Sequence, residues 1–180
     1  MSKTYYGKQA IKKVEQMLGR PLSYPEQRVV EEEGYVDGTY KDTKGIITSG
    51  VGQTGKYMNK SFDYTFKDHE DQARKLIKGY DKLPEALQGE LMSAAYRGDL
   101  GGSPTFRKLF NAGDYEAAAK EFLDNDDYRK SKKKGTGVAK RMENVAEAVR
   151  QYGMLVNSGE PEVVPVDKET SLKALFGSSI

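Results

Sequence analysis

Apolar residues recur every three or four positions over most of the chain, which is the spacing of one face of an α-helix. Four long stripes have this spacing: Ala10, Ile11, Val14, Met17 and Leu18; Phe66, Ala73, Leu76, Ile77 and Tyr80; Leu83, Leu87, Leu91, Ala94 and Ala95; Val138, Met142, Val145 and Val149. They predict helices that end near Gly19, Gly79, Gly98 and Gly153, because glycine is the usual residue at a left-handed helix stop.

Residues that begin helices precede several of these stripes. Thr65 is placed to cap the second stripe, and Pro84 opens the third. Ser103 followed by Pro104 predicts a further helix, and Asp114 predicts the next one. The second half of the chain is therefore predicted to be helical.

A shorter helix is predicted to end at Glu33. Ser23 with Glu26 three residues later forms a capping box, and Pro25 suits the first turn. Gly34 fits the stop that follows. This helix places an acidic side chain at its C-terminal end.

Turn signals and β-forming residues follow Glu33. Asp37-Gly38 predicts a turn, residues 39–41 a short strand, residues 42–45 a second turn and residues 46–51 a returning strand. The prediction is a small antiparallel sheet beside many helices, which is an α+β fold.

Composition bounds the chemistry. The chain has 180 residues, a net charge of +2, no cysteine and one histidine, His69. One domain, with room for two lobes, is expected at this length. Disulfides, Cys-ligated metals and a His-rich metal centre are excluded, and the spacing of His69 predicts a solvated surface residue. The start of the chain lacks an apolar signal core and no stretch is long enough to span a membrane, which predicts synthesis in the cytoplasm and no stable membrane insertion.

Two carboxylates are the candidates for catalysis. A helix that ends at Glu33 and leads into a hairpin can bring Glu33 and Asp42 to opposite walls of one cleft. Hydrolysis of a glycosidic bond needs such a pair, one carboxyl as acid and the other as base or nucleophile. The alternative is that residues 31–33 form an acidic helix face and that Asp42 is a turn residue.

Two stretches carry a family resemblance. Residues 33–54, EGYVDGTYKDTKGIITSGVGQT, place Glu33, Asp42 and Thr48 among flanking glycines in the order that resembles the catalytic segment of phage T4-type lysozymes. The later run LMSAAYRGDLGGSPTFRKLFNAGDYEAAAKEFL is similar to the helical lobe of the same family, glycoside hydrolase family 24.

The resemblance implies a lysozyme-like fold, in which a cleft separates a small β-sheet lobe from a larger helical lobe. The predicted domain covers residues 1–153: an additional N-terminal helix at 1–20, which the resemblance does not cover, the catalytic helix and sheet at 21–62, and the helical lobe at 63–153. Residues 154–180 would form a C-terminal tail, rich in Pro, Ser and charge, that packs loosely on the body.

The resemblance also implies a muramidase, an enzyme that cleaves the β-1,4 bond between N-acetylmuramic acid and N-acetylglucosamine in bacterial peptidoglycan. Glu33 would be the general acid and Asp42 the base that activates a water held by Thr48, which favours an inverting mechanism. The resemblance also implies roles for six further residues. Arg141 would orient the acid, and the substrate would be contacted by Tyr40, Thr54, Tyr96, Arg97 and Thr105.

Two positions depart from the family pattern. Gln53 replaces a histidine, so the charge pair that relatives make there is expected to be absent or replaced by a neutral hydrogen bond. Arg97 replaces an amide at the border of the cleft, which changes the saccharide contacts there.

The implied enzyme needs no cofactor and no metal, and it acts as a monomer on peptidoglycan rather than on nucleic acid. Its context would be host lysis after release from the cytoplasm through holin pores, or entry as part of a virion. A non-catalytic wall-binding or virion structural module is the alternative function. Residues 128–141 hold seven basic residues and no acid, which fits either a solvated loop or adhesion to an anionic surface.

Overall fold

The computed structural model describes residues 3–41 and 45–159, and these residues form a mixed α+β architecture. Within them, nine α-helices accompany one three-stranded antiparallel sheet. The helices are α1 (Gly7–Leu18), α2 (Tyr24–Glu33), α3 (Phe62–Leu76), α4 (Glu85–Tyr96), α5 (Asp99–Gly102), α6 (Pro104–Asn111), α7 (Tyr115–Leu123), α8 (Asp126–Lys134) and α9 (Gly137–Ser158). The predicted α+β class is confirmed.

The sheet consists of β1 (Thr4–Tyr5), β2 (Tyr35–Lys41) and β3 (Ile47–Gly50), with β2 in the centre. The antiparallel pairing of β2 with β3 was predicted. The predicted turn at Asp37-Gly38 is wrong, because β2 continues through it with a register shift between Val36 and Thr39. A β-bulge of this kind accommodates the residues that resemble a turn in the sequence.

The first strand was not predicted. Thr4 pairs with Val36 and Tyr5 with Tyr35, so the N-terminal residues extend the sheet before α1 begins at Gly7. The N-terminal helix predicted within residues 1–20 therefore begins only at Gly7, after the strand. Two residues are too few for an alternating pattern to be visible in a sequence.

Helix α2 forms as its signals predict. The Ser23 hydroxyl accepts the backbone N–H of Glu26, and the Glu26 carboxylate accepts the N–H of Ser23 at 2.7 Å. The helix ends at Glu33, with Gly34 as its C-terminal cap. The carboxylate of Glu33 is therefore held where rigid helix meets β2.

Helix α3 begins earlier than predicted. Ser61, not Thr65, is its N-cap and accepts the backbone N–H of Tyr64 at 3.1 Å. Thr65 lies within the helix, where its hydroxyl donates to the Ser61 carbonyl. The helix ends at Leu76, before Gly79, and a 3-10 turn at Tyr80–Lys82 follows.

Helix α4 lies at the centre of the core. Leu87, Leu91 and Met92 are completely buried, and the helix packs against α2, α3 and α9. Burial of a side chain of this size stabilises a fold by about 1.5–3 kcal/mol. Because α2 and α9 contact the same central helix, their charged side chains approach each other across it.

Helix α9 runs through the predicted stop. Gly153 is buried inside it, and a Cβ at this position would lie 2.7 Å from the Cβ of Tyr115 in α7. Gly153 is therefore a packing residue that lets α7 and α9 approach closely, and the predicted end of the helix there is wrong. The helix continues to Ser158, so the predicted tail begins inside it, and residues 160–180 lie outside the described residues.

The basic run is helical rather than a loop. Residues 126–134 form α8, capped by Asn125, whose side-chain oxygen accepts the N–H of Tyr128 at 2.8 Å. Asp126 and Asp127 lie in its first turn and three lysines in its last, which is the arrangement that complements a helix dipole.

Among the helices of residues 3–41 and 45–159, none combines the length and the apolar character that crossing a membrane requires.

Candidate active site

Glu33 and Arg141 meet across the helical body. The Nη1 of Arg141, near the start of α9, donates to the Oε1 of Glu33 at 2.6 Å. The Nη2 of the same guanidinium donates to the main-chain carbonyl of Glu32. These two bonds fix the guanidinium against the last turn of α2. The residues are 108 positions apart in the chain, so the contact is made by the tertiary fold.

The second oxygen of Glu33 faces Gly52. A Cβ at Gly52 would lie 2.9 Å from the Oε2 of Glu33, and Gly52 has a φ of +62°. Glycine is required here both by the backbone conformation and by the space. The Glu33 side chain is 21% exposed, so it is partly accessible although Arg141 and Gly52 lie against its carboxyl group.

Thr48 and Tyr40 face each other across the sheet. They are register partners in β3 and β2, which places their side chains on the same face about 4.5–5.5 Å apart at Cβ. Thr48 is buried and its hydroxyl donates to the Ile46 carbonyl at 3.3 Å, whereas Tyr40 is exposed. Asp42, the predicted base, lies outside the described residues, one position after β2 ends.

Tyr96 connects α4 to the loop beside Glu33. Its hydroxyl donates to the carbonyl of Val51 at 2.7 Å. Burial, and then the nearby charge of Glu33, raise the pKa of the Tyr96 phenol, so this group is a permanent donor. The bond fixes Val51 and, with it, the neighbouring Gly52.

His69 is part of this support and is not on the surface, so the prediction for it is wrong. Its ring lies between those of Tyr57 and Tyr96, with a centroid distance of 4.7 Å to each. The Nδ1 of His69 bonds to the carbonyl of Thr65 at 2.8 Å. Burial lowers the pKa of the imidazole. The helical spacing missed His69 because both partner rings come from other elements.

Gln53 makes neutral hydrogen bonds, which is the second of the two alternatives predicted for it. Its Nε2 donates to the carbonyl of Lys60 at 2.6 Å and to the hydroxyl of Thr65 at 3.0 Å. Its Oε1 accepts the backbone N–H of Val51 at 3.4 Å. The uncharged amide of Gln53 thus links the loop that contains Gly52 to helix α3.

The remaining predicted substrate residues are spread more widely. Arg97 donates to Asp99 at 2.9 Å, and it lines a small depression together with Arg141 and Ser93. Thr54 precedes the 3-10 turn Gly55–Tyr57. Thr105 is exposed in the first turn of α6, and within the described ranges no hydrogen bond joins it to another predicted site residue.

Three charged residues near Glu33 were missed. Arg28 of α2 forms ion pairs with Glu32 at 2.6 Å and with Glu90 of α4 at 2.9 Å. The Glu32 carboxylate also accepts the hydroxyl of Ser93. The i,i+4 spacing of Arg28 and Glu32 was a signal for the first pair. The second was signalled by a single acid, Glu90, in an otherwise apolar stretch of helix.

Candidate metal ligands do not cluster in the described part of the chain: no group of three His, Asp or Glu residues there has the arrangement of a metal site.

No protein-family model matches the chain, and no curated protein is significantly similar to it. The family resemblance therefore rests on the residues of the chain itself.

Proposed function

We propose that the protein is a lysozyme-like muramidase that hydrolyses the β-1,4 bond between N-acetylmuramic acid and N-acetylglucosamine in bacterial peptidoglycan. The observation that carries the proposal is the bond from Arg141 to Glu33. The resemblance assigns an arginine to the orientation of the catalytic acid, and the described structure has this pair in contact at 2.6 Å. The α+β architecture is compatible with a sheet lobe and a helical lobe on either side of a cleft.

Glu33 is the general acid of the proposed reaction. Its Oε1 already accepts a hydrogen bond from Arg141, so the transferable proton is placed on Oε2, the oxygen that faces Gly52. A side chain at Gly52 would cover this oxygen. The absence of one leaves the proton accessible to the leaving oxygen of the glycosidic bond, as general acid catalysis requires.

Thr48 supports the attacking water by accepting rather than donating. Its one hydroxyl proton is used on the Ile46 carbonyl, which leaves the lone pairs of the oxygen as acceptors. A water that donates one proton to Thr48 and the other to Asp42 keeps its own lone pair free for attack on the sugar. This assignment gives Asp42 the role of base and predicts inversion at the anomeric carbon.

The experiment is clearance of purified peptidoglycan by wild type, Glu33→Gln and Glu116→Gln. An amide has no proton of suitable acidity, so Glu33→Gln should fold normally and lose activity by at least about a hundredfold, the lower range for a lost general acid. Glu116, an exposed acid on α7, is the matched control and should keep full activity. Equal clearance by a folded Glu33→Gln would overturn the proposal.

Inversion is measured separately. Proton NMR of the newly formed reducing end, recorded before mutarotation, should show the α-anomer first. An initial β-anomer would mean that Thr48 does not hold the nucleophilic water.

A further inference from the structure

A cluster of charged side chains extends from Glu33 into the protein interior, between α2, α4 and α9. Its deepest members are nearly inaccessible: the side chain of Glu90 is 4% exposed, that of Glu32 8% and that of Arg28 14%. Four carboxylates, those of Glu31, Glu32, Glu33 and Glu90, share two guanidinium groups, those of Arg28 and Arg141. Charges of this kind are rarely buried unless each of them has a partner.

The contacts form an unbroken series. The Nε of Arg28 donates to the Oε1 of Glu90 at 2.9 Å, and its Nη2 donates to the Oε1 of Glu32 at 2.6 Å. The other oxygen of Glu32 accepts the hydroxyl of Ser93 and lies 3.9 Å from the Nε of Arg141. Arg141 then bonds to Glu33. Arg28 thus has Glu31 and Glu32 of the α2 C-terminus as direct partners, and Arg141 has Glu33.

Stability alone does not account for this arrangement. A buried ion pair is often no more stabilising than apolar residues of the same volume. Glu90 carries an additional cost, because its Oε2 is buried without a hydrogen-bond partner in the described structure. Methionine at position 28 and leucine at position 90 would fit the apolar surroundings of α4 without a buried charge and without an unpaired oxygen. The pair is therefore better explained by what it does to Glu32.

Glu32 and Glu33 are adjacent in the chain, and both carboxyl groups lie within reach of Arg141. Which of the two carboxyl groups Arg141 bonds therefore depends on the other contacts that each of them makes. Arg28 satisfies Glu32 from the opposite side, which leaves the Nη1 of Arg141 to Glu33. Glu90 in turn holds the Nε edge of Arg28, so that its Nη2 points to Glu32.

We propose that Arg28, held by Glu90, is a positioning residue for the acid: it occupies the Glu32 carboxylate and thereby keeps Arg141 on Glu33. This inference rests on the proposed function, since it assigns Glu33 the role of acid. Arg28 and Glu90 are themselves largely buried. Their effect reaches the reaction through Glu32 and Arg141.

The test is the double variant Arg28→Met/Glu90→Leu, which replaces the buried pair with apolar residues. Its unfolding midpoint should fall, because Glu32 stays buried and loses its direct partner Arg28, and it should rise again when Glu32→Gln is added. On soluble peptidoglycan fragments, kcat should fall about tenfold, because the acid is misaligned. KM should stay unchanged, because substrate binding is not altered. The exposed pair Lys120 and Glu116, replaced in the same way, is the control and should leave both constants unchanged.

Rescue separates positioning from a structural role. Adding Glu32→Gln to the double variant removes the anion that competes for Arg141, so kcat should return towards the wild-type value. A kcat that remains low in the triple variant, or one that never falls in the double variant, would overturn the inference while the function stands.

A crystal structure of the double variant makes the test independent of activity. The guanidinium of Arg141 is expected to turn from Glu33 towards Glu32. An unchanged bond from Arg141 to Glu33 in this structure would refute the positioning role, whatever the activity of the wild type. Inactivity of the wild type on peptidoglycan would refute the proposed function instead.

Discussion

Replacing Glu90 with glutamine should change how the stability of the protein depends on pH. Burial raises the pKa of Glu90 from its ordinary value of 4.5 to about 7, against the opposing effect of Arg28. The folded state therefore binds a proton that the unfolded chain releases between these values. The resulting stabilisation is fully present below pH 4.5 and is lost as the pH rises through about 7.

The magnitude follows from the two pKa values. Over the interval from pH 5 to pH 8, a carboxyl with these values should reduce the free energy of unfolding by about 2–3 kcal/mol. Glu90 is almost completely buried, so solvent does not screen the effect. Glu90→Gln keeps an oxygen for Arg28 and removes the titrating proton, so this loss should be absent from the variant.

Urea unfolding at pH 5, 6, 7 and 8 measures the effect. The difference between the wild-type and Glu90→Gln profiles cancels the contributions of other groups, including that of His69. Glu85→Gln, at an exposed position in the first turn of the same helix, is the control and should follow the wild-type profile. Parallel profiles for wild type and Glu90→Gln would show that the buried carboxylate is ionised throughout, and the reasoning would fail.

Two further predictions concern the support of Glu33. Gly52→Ala should lower stability by about 1–2 kcal/mol because of its left-handed backbone, and it should also reduce peptidoglycan clearance by displacing the Glu33 carboxyl. Gly55→Ala, with a φ of +51° and no atom within 4 Å of the new Cβ, is the matched control; a similar loss of activity in both variants would exclude a specific contact with Glu33. The one histidine of the chain should titrate below its ordinary pKa of 6.5 in a proton–carbon NMR experiment, because burial between two tyrosine rings disfavours the charged imidazolium. A midpoint at or above 6.5 would place the ring in water.

The elements whose signals are local were predictable from the sequence. The capping box of Ser23 and Glu26, the end of α2 at Glu33 and the start of α6 at Pro104 depend on residues within a few positions of each other. The contact between Arg141 and Glu33 was predicted as well, although no local pattern encodes it. That prediction came from the family resemblance.

Features that depend on distant partners could not be predicted. Gly153 has the appearance of a helix stop until the closeness of Tyr115 is known, and His69 has the appearance of a surface residue until two rings enclose it. The pairing of Arg28 with Glu90 joins residues 62 positions apart, and a one-dimensional pattern does not contain that proximity.

The path of α9 has a mechanical consequence for the site. Arg141 lies near one end of this helix, and Gly153, packed against Tyr115, lies twelve residues further on, about 18 Å away at 1.5 Å per residue. If α9 stays rigid, a tilt of about 5° about its contact with Tyr115 would move Arg141 by roughly 1.5 Å. That displacement exceeds the tolerance of a hydrogen bond. Substitutions at Gly153 or Tyr115, remote from Glu33, should therefore change the rate of the proposed reaction by displacing Arg141.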